Sequence, residues 1–421
     1  MLGYRRRSFD KVHTLLREIA RAPKDIVKVL LCQRILLQEI LRAEAHIIRH
    51  KSALRTARTR LKTSRPEKSE AKRLKRYIGW VEGRIEAYQQ LTYIWRCFGD
   101  GIAFSYLDKY AIKHAFYETE TVAVKQGGGF ISGKEGLADE IMLVEAAAKA
   151  GVPSILVDLT NSMRHGDVCL LGGPDPYLIE VKGGSRLNDR GRRQVSAIEK
   201  LHAFYETDVA SDFRGYPELR RVAPGIPERC YAEKMNECIA RAERAGLCVI
   251  NPEPGLYYGV IHDARGAVKA MLDAMPVESP LVFVLNQYKS NRTWPPYRPF
   301  TLAIEKAHHL YKFIKGEIFL VVVLDVAKLC GQLAEQGFEA TFGESIDYPL
   351  RYRHPKTDGT GGISANLLQR VALEFVSPRW IIDCQVSAVE RWHTNLSANE
   401  PSADTANLPR NNAMARNDSD E

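Results

Sequence analysis

Residues 165–184 read HGDVCLLGGPDPYLIEVKGG, and they place two acids and an amine where a β-hairpin would gather them. If the chain reverses between Gly173 and Pro174, residues whose numbers sum to 347 face one another. Asp167 then lies opposite Glu180, with β-carbons about 4.5–5.5 Å apart. Two carboxylates held that closely repel unless a positive charge sits between them. Alternation along the strand puts Lys182 on the face of Glu180 and turns Val168, Ile179 and Val181 to the other side. One face is thus a seat for a hard cation, with oxygen ligands for Mg²⁺ (or Mn²⁺) and an amine that can orient or deprotonate a bound water. The plainer alternative, an edge-strand ion pair between Glu180 and Lys182, would contribute only ~0–1 kcal/mol.

The elements needed to position these groups are legible on both sides. A helix is expected from about Leu137 to Ala150, ended by Gly151-Val152-Pro153, then a strand over Ser154–Leu159, the hairpin, and a helix over 188–206. The order is α, β, β, β, α. On the first helix Glu140 flanks the apolar stripe of Leu137, Ile141, Val144 and Ala148, so it can face the hairpin; Glu145 flanks the other side and is the second choice. Asp158 is a further acid at a strand end, without an assigned register.

D167-(x12)-E180-V-K182 on a hairpin between two helices resembles the PD-(D/E)XK nuclease superfamily, which has an αβββαβ restriction-endonuclease-like core. The resemblance implies metal ligands at Asp167, Glu180 and the main-chain carbonyl of Val181, with Lys182 as the catalytic lysine. Some members, the Holliday-junction resolvases among them, add a Glu in a G-x-x-x-E setting on the first helix. Gly136-Leu-Ala-Asp-Glu140 matches that pattern, and Gln194 matches a Gln that several families carry on the helix after E-x-K. Gly166 stands where the family name has proline. The resemblance covers roughly residues 130–206. It implies a divalent-metal-dependent nuclease acting on nucleic acid, DNA foremost, with Lys134, Arg186, Arg190, Arg192 and Arg193 as contacts to the phosphate backbone. The alternative is a nuclease-like module that binds nucleic acid or protein without cutting.

Ahead of this region the apolar spacing predicts two long helices, Lys24 to about Lys62 and about Leu74 to Leu91, around the break TSRPEKSE, with Pro23 in the first turn. Residues 1–117 are read as a basic helical hairpin arm. Its charge is distinctive: the first 80 residues hold 22 Lys and Arg against 7 Asp and Glu, the remaining chain 38 against 44. A basic end on a mildly acidic body suits a polyanion, although a solvated helical turn reads the same way. The arm leaves two kinds of partner open, nucleic acid or a protein, including a second copy. The fold class is therefore mixed α/β (α+β): the helical arm, a nuclease-like domain over 118–394 with an insertion at about 207–246 bearing one helix near Cys230–Ala245, and a disordered tail over 395–421. Strands are expected at Leu256–Ile261, Leu281–Val284 and Glu317–Val326, and a helix at Phe300–Ile314.

Several other signals are weaker. G128-G-F-I-S-G-K134-E135 approximates a phosphate loop, but the closing hydroxyl is replaced by Glu135. His165 reads equally as a phosphate contact or a structural residue, and Cys169 as core. His308 and His309 point about 100° apart on a helix and are not expected to share a ligand. Eight cysteines without a C-x-x-C pair argue against a zinc knuckle. The most apolar run, Ile318–Leu324, is too short to span a bilayer, and the start lacks a signal-peptide core, so a cytoplasmic protein without a membrane partner is expected.

Overall fold

The computed structural model describes residues 5–64, 66–181, 189–263, 267–343, 345–356 and 360–398; within its helices the side chains of 190 and 392–398 are left out. Helix and sheet are mixed, with 55% helix against 17% strand, and much of the helix lies in two elements of 38 and 39 residues. Helix α1 (Arg6–Arg21) buries Phe9, Val12, Leu16 and Ile19 along one face. Helices α2 (Ile26–Thr63) and α3 (Lys68–Tyr106) form the expected hairpin. Pro23 lies in the turn before α2 rather than in its first turn. Asp25 starts the helix, its carboxylate accepting from the Lys28 N–H at 3.3 Å.

The hairpin is not a free-standing arm. Near its tip it is held by surface pairs such as Arg58–Glu82 at 2.6 Å. Towards its base, Leu36, Ile40 and Ile47 of α2 and Trp95, Phe98 and Ile102 of α3 are almost fully buried, in one continuous core with Ile155, Val168 and Leu178. At Gly99 a β-carbon would stand 1.9 Å from the Leu159 carbonyl oxygen, so only glycine lets the α3 backbone approach that closely.

After α4 (Lys109–His114) and α5 (Leu137–Lys149) come β1 (Ser154–Leu156), β2 (Val168–Leu170) and β3 (Tyr177–Ile179), an antiparallel sheet in the order β1-β2-β3. Val168 pairs with Ile179, Cys169 with Leu178 and Leu170 with Tyr177, so the observed register is the one whose numbers sum to 347. The first strand is shorter than expected, because Val157–Leu159 turn into a 3₁₀ helix. Helix α6 (Asp189–Thr207) follows, then β4 (Val209–Phe213) and β5 (Tyr216–Arg220). The chain order is thus α-β-β-β-α-β, but β4 pairs with β5 in a sheet of its own and does not extend the first. The expected insertion therefore carries a hairpin as well as α7 (Ala232–Ala245).

A second antiparallel sheet has the order β6-β7-β9-β8, with β6 (Leu247–Glu253), β7 (Leu256–His262), β8 (Pro280–Val284) and β9 (Ile318–Asp325). The apolar run IFLVVVL is β9, flanked by β7 and β8 and buried along most of its length, which is why both of its faces are hydrophobic. Against this sheet pack α8 (Val268–Asp273), α9 (Leu285–Ser290) and α11 (Ala307–Lys315), while α10 (Phe300–Ala303) packs on α3 and α1. The single helix expected at Phe300–Ile314 is thus two helices. A small sheet and further helices complete the chain; the last helix, Pro378–Ala398, runs past the expected boundary at 394, and residues 399–421 lie outside the described residues. Among the described residues no helix is long and apolar enough to cross a membrane.

Candidate active site

The long helices hold the loops around the small sheet. Gln33 of α2 treats the open edge of β1 as a further strand would: its amide donates to the Ser154 carbonyl at 2.8 Å and accepts from the Leu156 N–H at 3.0 Å. Leaving those two buried groups unpaired would cost about 1–3 kcal/mol each. Glu44, fully buried on the same helix, accepts from the Ile131 and Ser132 N–H groups at 3.1 and 2.8 Å and pins the glycine-rich loop. From α3, Arg96 donates to the Asp158 carbonyl at 2.9 Å and to that of Gly129 at 3.1 Å. Asp100 accepts from the Asn161 and Ser162 N–H groups at 2.9 and 2.8 Å. On the hairpin itself, Gly166 has φ +74°, and a β-carbon there would stand 2.9 Å from the Ile179 carbonyl oxygen. Glycine is what lets the chain turn into β2 with Asp167 facing the site.

What these elements assemble is a ring of acids around one amine. The Lys134 ammonium lies 2.8 Å from Glu140 Oε1, 2.8 Å from Asp158 Oδ2 and 2.8 Å from Asp167 Oδ1. The acids come from the first turn of α5, the 3₁₀ turn after β1 and the residue leading into β2. Two of its N–H donors make hydrogen bonds, to Asp158 and Asp167, and its charge pairs with Glu140. The second oxygen of Asp167 accepts from the Val181 N–H at 2.9 Å, tying the two hairpin strands beyond their last pair. Glu180 lines the same cleft just past the end of β3.

Charge strains this arrangement. The Glu180 carboxyl is pushed up to about 7, first by burial and then by the neighbouring Asp167 carboxylate. Burial also raises Glu140, with the Lys134 hydrogen bond pulling the other way. Glu140 is only 2% exposed, yet its Oε2, like Oε2 of Glu180, has no hydrogen-bond partner among the described residues. For Lys134, desolvation opposes the charge, but hydrogen bonds to Asp158, Asp167 and Glu140 more than offset it and raise its proton affinity. The cluster opens into a cleft of about 1310 Å³, whose walls include Arg96, Lys125, Arg164, Arg193 and Gln194. Oxygen-only donors and a surplus of carboxyl groups are of the chemical type a hard divalent ion takes, and Glu140, Asp158, Asp167 and Glu180 are the residues that would hold one. No three of these acids bring ligand atoms within 4.8 Å of one another, so an ion would have to draw them closer.

The structure therefore brings Asp167, Glu180 and Gln194 to one cleft, with Glu140 buried beside it on Lys134 and Val181 bonded to Asp167. It corrects other expectations. Lys134, expected as a phosphate contact, lines the cleft, but in this structure its ammonium is engaged by three carboxylates. Asp158, an acid without a register in the sequence, is a full member of the cluster, because the 3₁₀ turn swings it towards the loop. Arg192 is exposed and paired with Asp189, while Arg193 reaches the cleft. Lys182 and Arg186 lie outside the described residues, as does the side chain of Arg190. Glu145 engages Arg34 at 3.0 Å. His165 is buried, bonded to the Tyr117 carbonyl at 2.9 Å, and pushed down to about 4 by burial and then Lys125, so it is a neutral structural residue. Cys169 is a core residue, its thiol pushed up to about 12 by burial. Arg96, Arg164 and Lys125 carried no local signal in the sequence.

A second polar cluster lies at the other sheet. His308 and His309, expected to diverge, both meet Glu243 Oε2, at 3.3 and 2.9 Å, while Lys312 meets Oε1 at 3.0 Å. Their places in the first turn of α11 let both rings reach back to α7. The chain matches no protein-family model, no curated protein and no solved structure.

Proposed function

We propose that the chain is a divalent-metal-dependent nuclease that hydrolyses phosphodiester bonds of nucleic acid, DNA foremost, with Mg²⁺ or Mn²⁺ as its cofactor. The observation that carries this reading is the gathering of Glu140, Asp158 and Asp167 around one cation, beside Glu180 and open to a cleft with basic walls. The resemblance to the PD-(D/E)XK superfamily agrees with it, in the D…E-x-K motif, the hairpin register and the α-β-β-β-α order. A bound divalent ion would supply Lewis-acid stabilisation of the charge developing on the phosphate and a more acidic water.

The chain's own residues do the rest. Asp167 is oriented by the Val181 N–H, which leaves Oδ1 turned into the cluster. Glu140 approaches from below on α5, and Asp158 is fixed by the Arg96 bond to its backbone. Arg193 and Gln194, from the start of α6, face the cleft and would hold a diester across it. Glu180, with its proton affinity raised towards neutrality, can give up its proton near physiological pH and then either bind the ion or accept a proton from water. Lys182 is assigned the role of catalytic amine through the motif alone.

A second reading has one observation in its favour. Because Lys134 already neutralises part of the cluster, the same core could bind nucleic acid without cutting it. The two separate on incubation of the purified protein with plasmid, linear and single-stranded DNA and with RNA, in Mg²⁺, Mn²⁺ or chelator. Metal-dependent shortening of any substrate supports the nuclease; equal retention with and without metal and no shortening supports the binding module.

A further inference from the structure

Lys134 occupies the seat that a divalent ion would take, and it does so from the glycine-rich loop, not from the hairpin motif. Its ammonium hydrogen-bonds Asp158 and Asp167 and pairs with Glu140, each at 2.8 Å, so it meets acids from three different elements. The loop backbone is anchored close by, through the Ile131 and Ser132 N–H groups on Glu44, so the lysine stem can swing without the loop coming away. The unpartnered Oε2 of buried Glu140 shows ligand capacity that the ammonium does not satisfy. Each acid oxygen lies 2.8 Å from the ammonium, but no three of these acids bring ligand atoms within 4.8 Å of one another. The ammonium thus holds them wider than the roughly 2.0–2.1 Å bonds of Mg²⁺ would, and loading an ion must draw them in.

From this geometry we infer that Lys134 is the resident counter-cation of the acid cluster and is exchanged for the divalent ion when the site loads. The inference rests on reading the cluster as a metal seat, and it says how that seat is regulated. With Lys134 in place the acids fold together without metal, and an incoming ion must displace the ammonium. Metal affinity is thereby lowered, in return for a stable metal-free state. Once displaced, the ammonium is released into the cleft, where an anionic diester would be its next partner.

The test uses the full chain and Lys134→Met, both stripped with chelator and then titrated with Mg²⁺ or Mn²⁺ by calorimetry and thermal unfolding. The metal-free variant is expected to melt below wild type, yet to bind the ion at least tenfold more tightly and to gain more in Tm on loading. Equal or weaker binding by the variant overturns the inference. In case the variant does not fold, wild type is labelled with an amine-reactive acylating reagent and Lys134 is followed by mass spectrometry. Labelling should rise several-fold when Mg²⁺ is added, and labelling that metal leaves unchanged overturns the exchange. Failure of the nuclease reading looks different: no substrate is cut by any form, while exchange is still seen.

Discussion

Two charge clusters of this molecule are built as opposites. Around Lys134, one ammonium is shared by three carboxylates, with a fourth carboxyl beside them. Around Glu243, one carboxylate receives Lys312 and two imidazoles, and Lys312 also meets His262 at 2.9 Å. The second cluster balances. Hydrogen bonds from His309 and Lys312 hold the Glu243 carboxyl far below its usual range, and burial lowers His309, which favours the neutral imidazole. The Lys312 ammonium offsets the Glu243 carboxylate, and the cluster works as a clasp between α7 and α11. Its ligand atoms lie within 4.8 Å of one another, a spacing that no three of the acids around Lys134 reach. Charge count separates the two sites: among the described residues the acid cluster holds more carboxyl groups than its one ammonium can neutralise, whereas at the histidine cluster one ammonium meets one carboxylate.

The contrast can be broken most sharply at the acids. Asp167→Asn and Glu180→Gln are expected to cut metal-dependent cleavage on the order of a thousandfold with circular dichroism unchanged, while His309→Ala leaves the rate near wild type. Equal losses at the two clusters would dissolve the distinction. Next in size is Asp158, which the motif does not include. Asp158→Asn should weaken divalent-ion binding about tenfold in calorimetry, or ~1.4 kcal/mol; unaltered affinity would remove it from the ligand set.

The third effect depends on pH. Glu180 is raised from 4.5 to about 7 in the folded chain, so between those values the native state holds a proton that the unfolded chain has released. The Glu180 contribution to metal-free stability, read as wild type minus Glu180→Gln, should therefore fall as pH rises from about 4.5 to 7 and level off above, while ion affinity climbs up to about tenfold per pH unit below 7 before it too levels off. Thermal unfolding and calorimetry of both proteins across that range read the two differences. The smallest change is expected at the clasp. Glu243→Gln should cost about 1 kcal/mol or less in denaturant unfolding, because His308 and Lys312 are partly solvated and the amide oxygen can still accept from buried His309, and it should leave the Mg²⁺ response intact.

How much of this was legible beforehand follows from the range of each interaction. The hairpin register was readable because Gly-Gly-Pro and strict alternation are local, and Val168 pairs with Ile179 as the turn position requires. Glu140 was readable from its place beside an apolar helical stripe. The membership of Asp158 was not, because it depends on a 3₁₀ turn where an uninterrupted strand was expected. Nor was the role of the long helices. Gln33 meets β1 across 121 residues and Glu44 meets the glycine-rich loop across 87, and no periodicity encodes such pairs.

Local chemistry written in the chain thus determined the order of elements, the facing of Asp167 and Glu180, and the basic character of the N-terminal helices. Tertiary structure alone decided that those helices brace the site, that the strand after α6 pairs elsewhere, and that Lys134 turns inward. The physical reason is the same in each case. Backbone propensity and side-chain alternation act over a few residues, whereas the partner of a buried charge is chosen by whichever opposite groups the packed core brings within reach.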